Sequence, residues 1–281
     1  MSAPGRRPGV QALLARLLAD EQARLEFAFD STAFAVGFGL DAAAVELARH
    51  AAGPGLELTA RTVAAKRCRR LWNSFPLTAN LLDGLGRQAA TGEAYRQAVL
   101  PVWEPGQDYA VTLGRGLLDF VLGATLPGIP LYLADLVRYE LLRLELVQAG
   151  PLPAERLAPS GDALPQPGMA ALDAGALPVL VDHAQLATFE WDVPSVVEPL
   201  RMGPAVPACG PGPVSIVMTL PPGAGAPSVL RLPPSVHDLL GRCDGSRTVG
   251  ELLAAGAGAE AVLRTCVERG LIRLVGAGLA G

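Results

Sequence analysis

Ser235, His237 and Asp238 are the three residue types of an acyl-transfer triad, gathered at one point in the sequence. A triad needs hydroxyl, imidazole and carboxylate to converge in space. Near-consecutive positions at a helix start point around the circumference, since only residues three or four apart share a face. The grouping reads as a coincidence of composition. Asp182-His183 has the residue types for half of a metal or acid–base site, but reads as a turn histidine in contact with solvent or capping a strand. His50, His183 and His237 lie far apart on different predicted elements. Gly114-Arg115-Gly116 is a fragment of a phosphate loop, but it lacks the preceding strand and the Lys-Ser/Thr ending. Tyr109, Asp119, Asp135 and Arg138 could line a pocket, though nothing in their spacing fixes a geometry. Cys68, Cys209, Cys243 and Cys266 have no CxxC spacing, which argues against both a zinc knuckle and a disulfide framework. Cys243 and Cys266 fall on apolar helical stripes and read as core thiols. The chain is expected to hold no catalytic cluster, no metal site and no cofactor of its own.

One charged group resists that dismissal. In Lys66-Arg67-Cys68-Arg69-Arg70, Lys66 and Arg70 share a helix face, Arg67 and Arg69 flank it, and Trp72 follows. Such a run is either a solvated helix face or an electrostatic docking patch for an acidic partner protein.

The elements that would position these residues fall into two halves. From Val10 to about Gln148 the periodicity is helical, with no strand of consequence. Leu13, Leu14, Leu17 and Leu18 make one stripe. Phe27, Phe29, Phe34 and Phe38 follow in FAFDSTAFAVGFGL, where Asp30 and Ser31 can cap a new helix. Further helices are predicted over Leu58–Leu71, Pro76–Thr91, Asp108–Leu122 and Leu131–Val147, the last two joined by the turn LPGIP. From Gly150 the segment GPLPAERLAPSGDALPQPG is rich in proline and glycine without apolar period, and reads as a linker. Beyond it, Ala176–Val181, Ala187–Val193, Val214–Leu220 and Ser228–Leu232 are strand candidates, with PPGAGAP as a hairpin loop.

The last stretch, LPPSVHDLLGRCDGSRTVGELLAAGAGAEAVLRTCVERGLIRL, reads as a short strand, three helices and a closing strand. Pro234 suits a helix start, Asp244-Gly245 a break, and Ser246 or Thr248 a cap for the next helix. Leu271–Val275 is the closing strand. The expected architecture is α+β: an all-α helical bundle over 1–149, a linker over 150–175, and a winged-helix-like domain over 176–281 with a small β-sheet and three helices.

Whole-chain properties narrow the function. A chain of 281 residues with formal charge −4 and pI near 5.5 is a poor general nucleic-acid binder, because phosphate contacts need clustered positive charge. The predicted third helix sets Arg264 and Arg269 against Glu260 and Glu268. The longest uncharged stretch, Met202–Leu230, is broken by proline and glycine and suits no membrane span. The N-terminus shows no signal-peptide core, so a soluble, cytoplasmic protein is expected.

Three N-terminal segments carry a resemblance: FAFDSTAFAVGFGL, RTVAAKRCRRLWNSFPLTANLL, and IPLYLADLVRYELLRLEL with its polar markers Asp135, Arg138, Tyr139 and Glu140. Together they resemble the helical domain of partner proteins that accompany multinuclear non-haem iron oxidative enzymes in ribosomal peptide natural-product pathways, the methanobactin type being best known. The C-terminal LLGRCDGSRTVGELL and VLRTCVERGLIRL are similar to the peptide-recognition winged helix that holds the leader of a precursor peptide in those pathways. The resemblance covers about Val10–Gln148 and Val214–Val275, and its motifs are apolar and polar patterns, less specific than a metal signature.

The resemblance implies a non-catalytic subunit whose iron belongs to the partner enzyme. A leader peptide would add as a strand to the sheet edge, expected at Val214, Ile216 and Met218. Val262, Thr265, Cys266 and Arg269 of the third helix would form the opposite wall. Lys66, Arg67, Arg70 and Trp72, with Asp135, Arg138 and Tyr139, would meet the enzyme. The alternatives are a winged-helix transcriptional regulator with a helical sensor domain, and a stand-alone enzyme using a helical-bundle pocket.

Overall fold

The computed structural model describes residues 9–98, 108–149, 172–220, 226–254, 256 and 258–276. The chain is mixed α+β. Its described residues form two compact units: one runs to Pro130 and adds Leu200–Val206, and the other takes Leu131–Pro199 and everything from Pro207.

The first unit is helical: α1 (Val10–Ala19), α2 (Glu21–Phe29), α3 (Ser31–Val36), α4 (Ala42–Ala51), α5 (Pro54–Ser74), α6 (Pro76–Gly84), α7 (Gln88–Ala98) and α8 (Tyr109–Gly123). Short polar side chains start several of them. The carboxylates of Asp30, Asp41 and Asp108 accept from the N–H groups of Ala33, Ala44 and Ala110. Pro54 and Pro76 sit at first-turn positions, where a missing N–H costs nothing. One core gathers Leu13, Leu17, Ala23, Phe27 and Ala48. Phe34 joins it edge-on to Phe27, with ring centroids 6.1 Å apart, and Phe38 stacks on Phe34. Phe29 does not join: it is 94% exposed, at the end of α2 where Asp30 leaves helical geometry. The single helix expected over Pro76–Thr91 is two. Gly86 at φ +64° lets Arg87 N–H return to the Leu82 carbonyl, and α7 begins afresh. The segment Leu200–Val206 runs against α6: Asn80 donates to the Leu200 carbonyl at 2.7 Å, and a Cβ on Gly84 would meet Ala205 N at 2.8 Å.

The second unit holds α9 (Leu133–Ala149), β1 (Leu177–Leu180), β2 (Ala184–Trp191), α10 (Val193–Arg201, its last two residues counted with the first unit), β3 (Pro211–Thr219), β4 (Ser228–Leu232), α11 (Pro234–Gly241), α12 (Val249–Ala254), α13 (Ala259–Glu268) and β5 (Ile272–Val275). Helix α9, read from the sequence as the last helix of the bundle, packs here against β2 and β3. Most of the expected linker, 150–171, lies outside the described residues, as does 221–225 of the PPGAGAP loop. Helix α10 replaces the end of a predicted strand, and β2 begins earlier than expected, at Ala184.

Strands β2, β3 and β4 form an antiparallel sheet in that order, so β3 is central. Strands β1 and β5 form a second, two-stranded sheet, and β1 is flanked on its other side by Asp244. Burial follows from these positions. On β3 the consecutive residues Ile216, Val217 and Met218 are all buried. Val217 belongs to a core with Leu240, Cys243, Val249, Leu252, Leu263, Cys266 and Ile272, so α11–α13 cover that sheet face. Period-two alternation turns Ile216 and Met218 to the opposite face, where Tyr139 of α9 lies 6.2 Å from Phe189 of β2. Full burial of each such side chain contributes about 1.5–3 kcal/mol.

Candidate functional site

The central place of β3 corrects the expected peptide edge. Val214, Ile216 and Met218 lie on a strand paired with β2 on one side and β4 on the other, so its backbone cannot accept an added strand. The sheet has its edges at β2 and β4 instead. Helix α9 engages backbone groups of β2: Asp135 Oδ2 accepts from Trp191 N–H at 3.0 Å, and Arg138 Nη1 donates to the Thr188 carbonyl at 2.9 Å. The Arg138 guanidinium also lies 5.5 Å from the centre of the Phe189 ring. Burial raises the Asp135 carboxyl above its ordinary value, opposed by the N–H groups of Trp191 and Glu190. Strand β4 has no such cover among the described residues. Among the described residues its backbone bonds only to β3, Ser228, Leu230 and Arg231 are exposed, and Arg231 Nη2 reaches Asp192 Oδ1 at 2.8 Å.

Beside this sheet a groove of about 330 Å³ separates α11 from the start of α13. Val236, Leu239, Leu252 and Val262 give it apolar walls, and Asp238 and Arg242 add charge. Of the third-helix residues expected to hold a peptide, Val262 alone lines this groove. Thr265 is exposed and its hydroxyl donates to the Ala261 carbonyl one turn back, and Arg269 is exposed. Cys266 belongs to the core, buried with Leu263, and burial pushes its thiol up. The helical period explains the division: Cys266 lies three residues beyond Leu263, on the face that packs inward.

Helix α5 of the first unit carries the basic run. Lys66 and Arg70 are exposed, with the Arg70 guanidinium 4.9 Å over the Tyr109 ring. Arg67 is buried and therefore unsuited to surface docking. Trp72 is half-buried, and its ring fills the space a Cβ on Gly92 would need. Asp135 and Arg138 are committed to β2, and Tyr139 is 2% exposed against Phe189. The seven expected docking residues are thus split between the two units, and three of them are buried or internally bonded in α9.

Ser235, His237 and Asp238 do not form a triad. His237 Nε2 lies 3.4 Å from Thr188 Oγ1, which lies 3.1 Å from Ser215 Oγ, while His237 Nδ1 is 3.9 Å from Asp238. Ser235 lines the groove instead of meeting His237. Tyr109 and Asp119 stand on α8 of the first unit, Asp135 and Arg138 on α9 of the second. Among the described residues there is no group of three or more His, Cys, Asp or Glu placed to hold a metal ion, and no helix long and apolar enough to cross a membrane. No protein-family model matches the chain, and no curated protein matches it.

Proposed function

We propose that the protein is a non-catalytic partner subunit that binds the leader of a ribosomally made precursor peptide and presents it to an iron-dependent peptide-modifying oxidase. In this reading the C-terminal sheet with α11–α13 acts as a winged-helix-like peptide clamp, and the N-terminal helices serve enzyme docking. The observation that carries the reading is strand β4, uncovered among the described residues and at the opposite side of β3 from the β2 edge that α9 engages. An extended peptide gains main-chain hydrogen bonds at such an edge and takes its register from side-chain pockets. Leu230, 41% exposed on β4, offers an apolar contact beside that backbone. A DNA-reading role is less supported: on α13 Arg264 is paired with Glu260 at 2.8 Å, and the two cations of this helix are matched in number by its carboxylates.

The test is fluorescence anisotropy with labelled leader peptides of the short open reading frames beside the gene, on the full chain. Micromolar binding that Leu230→Lys weakens about tenfold, equal to about 1.4 kcal/mol, supports the reading. Absence of binding by the peptides and by the neighbouring enzyme at tens of micromolar overturns it.

A further inference from the structure

A cavity of about 470 Å³ opens within the first unit among α1, α2, α4 and the start of α5. That volume is within the usual range for small-molecule sites, roughly 300–1,000 Å³. Its apolar part comes from Leu17, Phe27 and Leu56, the first two fully buried. Its polar part sets the donors Arg24, Ser31 and Arg49 beside the carboxylates of Glu21 and Glu57.

Ser31 is 6% exposed and lines the cavity. Its Oγ accepts from Arg49 Nε at 3.0 Å and from Arg49 Nη2 at 2.6 Å. A hydroxyl has two acceptor sites and one proton, so both acceptor sites are filled and the O–H remains to donate. Among the described residues nothing accepts it. Arg24 lines the same space. Its guanidinium bonds to the Leu17 carbonyl at 2.8 Å, and among the described residues no carboxylate pairs with it. The two carboxylates of the lining are already engaged by arginines outside it, Glu57 with Arg61 at 2.9 Å and Glu21 with Arg96 at 3.5 Å.

The geometry points to a binding site for a small apolar monocarboxylate, its anionic head on Arg24 and the Ser31 hydroxyl and its hydrocarbon body against Leu17, Phe27 and Leu56. A guanidinium fork matches a carboxylate in plane and in charge. Arg24 and Arg49 against Glu21 and Glu57 leave the lining neutral overall, which favours a monoanion over a dianionic phosphate. The site is in a different unit from the β4 edge, so it stands or falls independently of peptide recognition.

The experiment is isothermal titration of the full chain with decanoate, with decanol and decyl phosphate as comparison ligands. Decanoate is expected to bind in the range of about 10–100 µM, at least tenfold tighter than either comparison ligand. Arg24→Gln is expected to weaken decanoate at least tenfold. Ala28→Trp, an exposed lining position where bulk fills the mouth without touching the core, is expected to abolish binding with an unchanged circular dichroism spectrum. The inference is overturned if decanoate shows no binding up to about 1 mM, if decanol binds as well as decanoate, or if a folded Ala28→Trp protein binds decanoate unchanged.

Discussion

Asp135 on α9 accepts a hydrogen bond from the backbone N–H of Trp191 in β2, 3.0 Å away and across 56 positions of sequence. One side chain thus joins the helix that ends the N-terminal half to the first strand of the antiparallel sheet. Its removal has a specific cost. Asp135→Ala leaves the Trp191 N–H without its partner and is expected to destabilise the chain by about 1–2 kcal/mol, read as a lower urea midpoint with unchanged slope. Asp135→Asn keeps an acceptor and costs less. Because burial raises the Asp135 carboxyl, the folded chain holds its proton more tightly than the unfolded chain, and this group's contribution falls as pH rises above about 3.8. The aspartate-to-asparagine difference should therefore shift in favour of asparagine from below that pH upward. A difference constant with pH rejects this account of Asp135.

Ile216 and Leu230 separate the central strand from the edge. Ile216 is fully buried on β3, whereas Leu230 is substantially exposed on β4. Ile216→Lys buries an unpaired ammonium and is expected to abolish folding of the second unit, seen as loss of near-ultraviolet ellipticity. Leu230→Lys should leave the thermal midpoint within about 2 °C, as surface substitutions generally do. Equal effects of the two variants contradict the strand order.

The four thiols divide by burial. Cys243 and Cys266 are core residues, and burial pushes the Cys243 thiol up to about 12, with the neighbouring Cys266 adding to the shift. Cys68 and Cys209 are half-buried and also raised, first by burial. A disulfide reagent at pH 8 is expected to label no more than two thiols in the folded chain, slowly, and all four in urea. Peptide mapping that finds Cys243 or Cys266 labelled without denaturant excludes the core assignment.

Thr248 and Glu251 form a reciprocal cap at the start of α12. Thr248 N–H donates to Glu251 Oε2 at 2.7 Å, and Glu251 N–H donates to Thr248 Oγ1 at 3.2 Å. Thr248→Ala is expected to cost about 1 kcal/mol. The Thr248 N–H holds the Glu251 carboxyl below its ordinary value, so its contribution is present above about pH 4.5 and is lost as the solution is acidified below it. Acid titration of Glu251→Gln against the parent should show that limb missing. A superimposable pair of acid curves discards the cap as a source of stability.

Much of this fold was legible in local pattern. The helical period over the first half, the aspartate caps, the β3–β4 hairpin and the closing strand β5 all follow from spacing and turn residues. Strand order was harder, since pairing is decided by contacts distant in sequence. A signal for it was present in Val214-Ser215-Ile216-Val217-Met218: a nearly continuous apolar run marks a strand buried on both faces, while the mixed Ser228–Leu232 marks an edge. Helix α10 carries Pro194 and Pro199, a residue type that ordinarily interrupts helices, although Pro194 occupies its first turn. The donors around Ser31 were invisible for another reason: Arg24, Ser31 and Arg49 come from three helices and converge only through packing.

The path of the chain through its second unit has a practical corollary. Helix α9 precedes residues 150–171, but its packing partner β2 follows them. A break engineered in that interval separates covalently what the fold holds together. The N-terminal fragment would keep α9 with its apolar face bare, and the C-terminal fragment would keep β2 without its helix. Neither piece is a natural module, and expressed apart each presents the other's missing surface. Mixed, the halves should reconstitute by non-covalent complementation, which makes α9 the grip of a split protein.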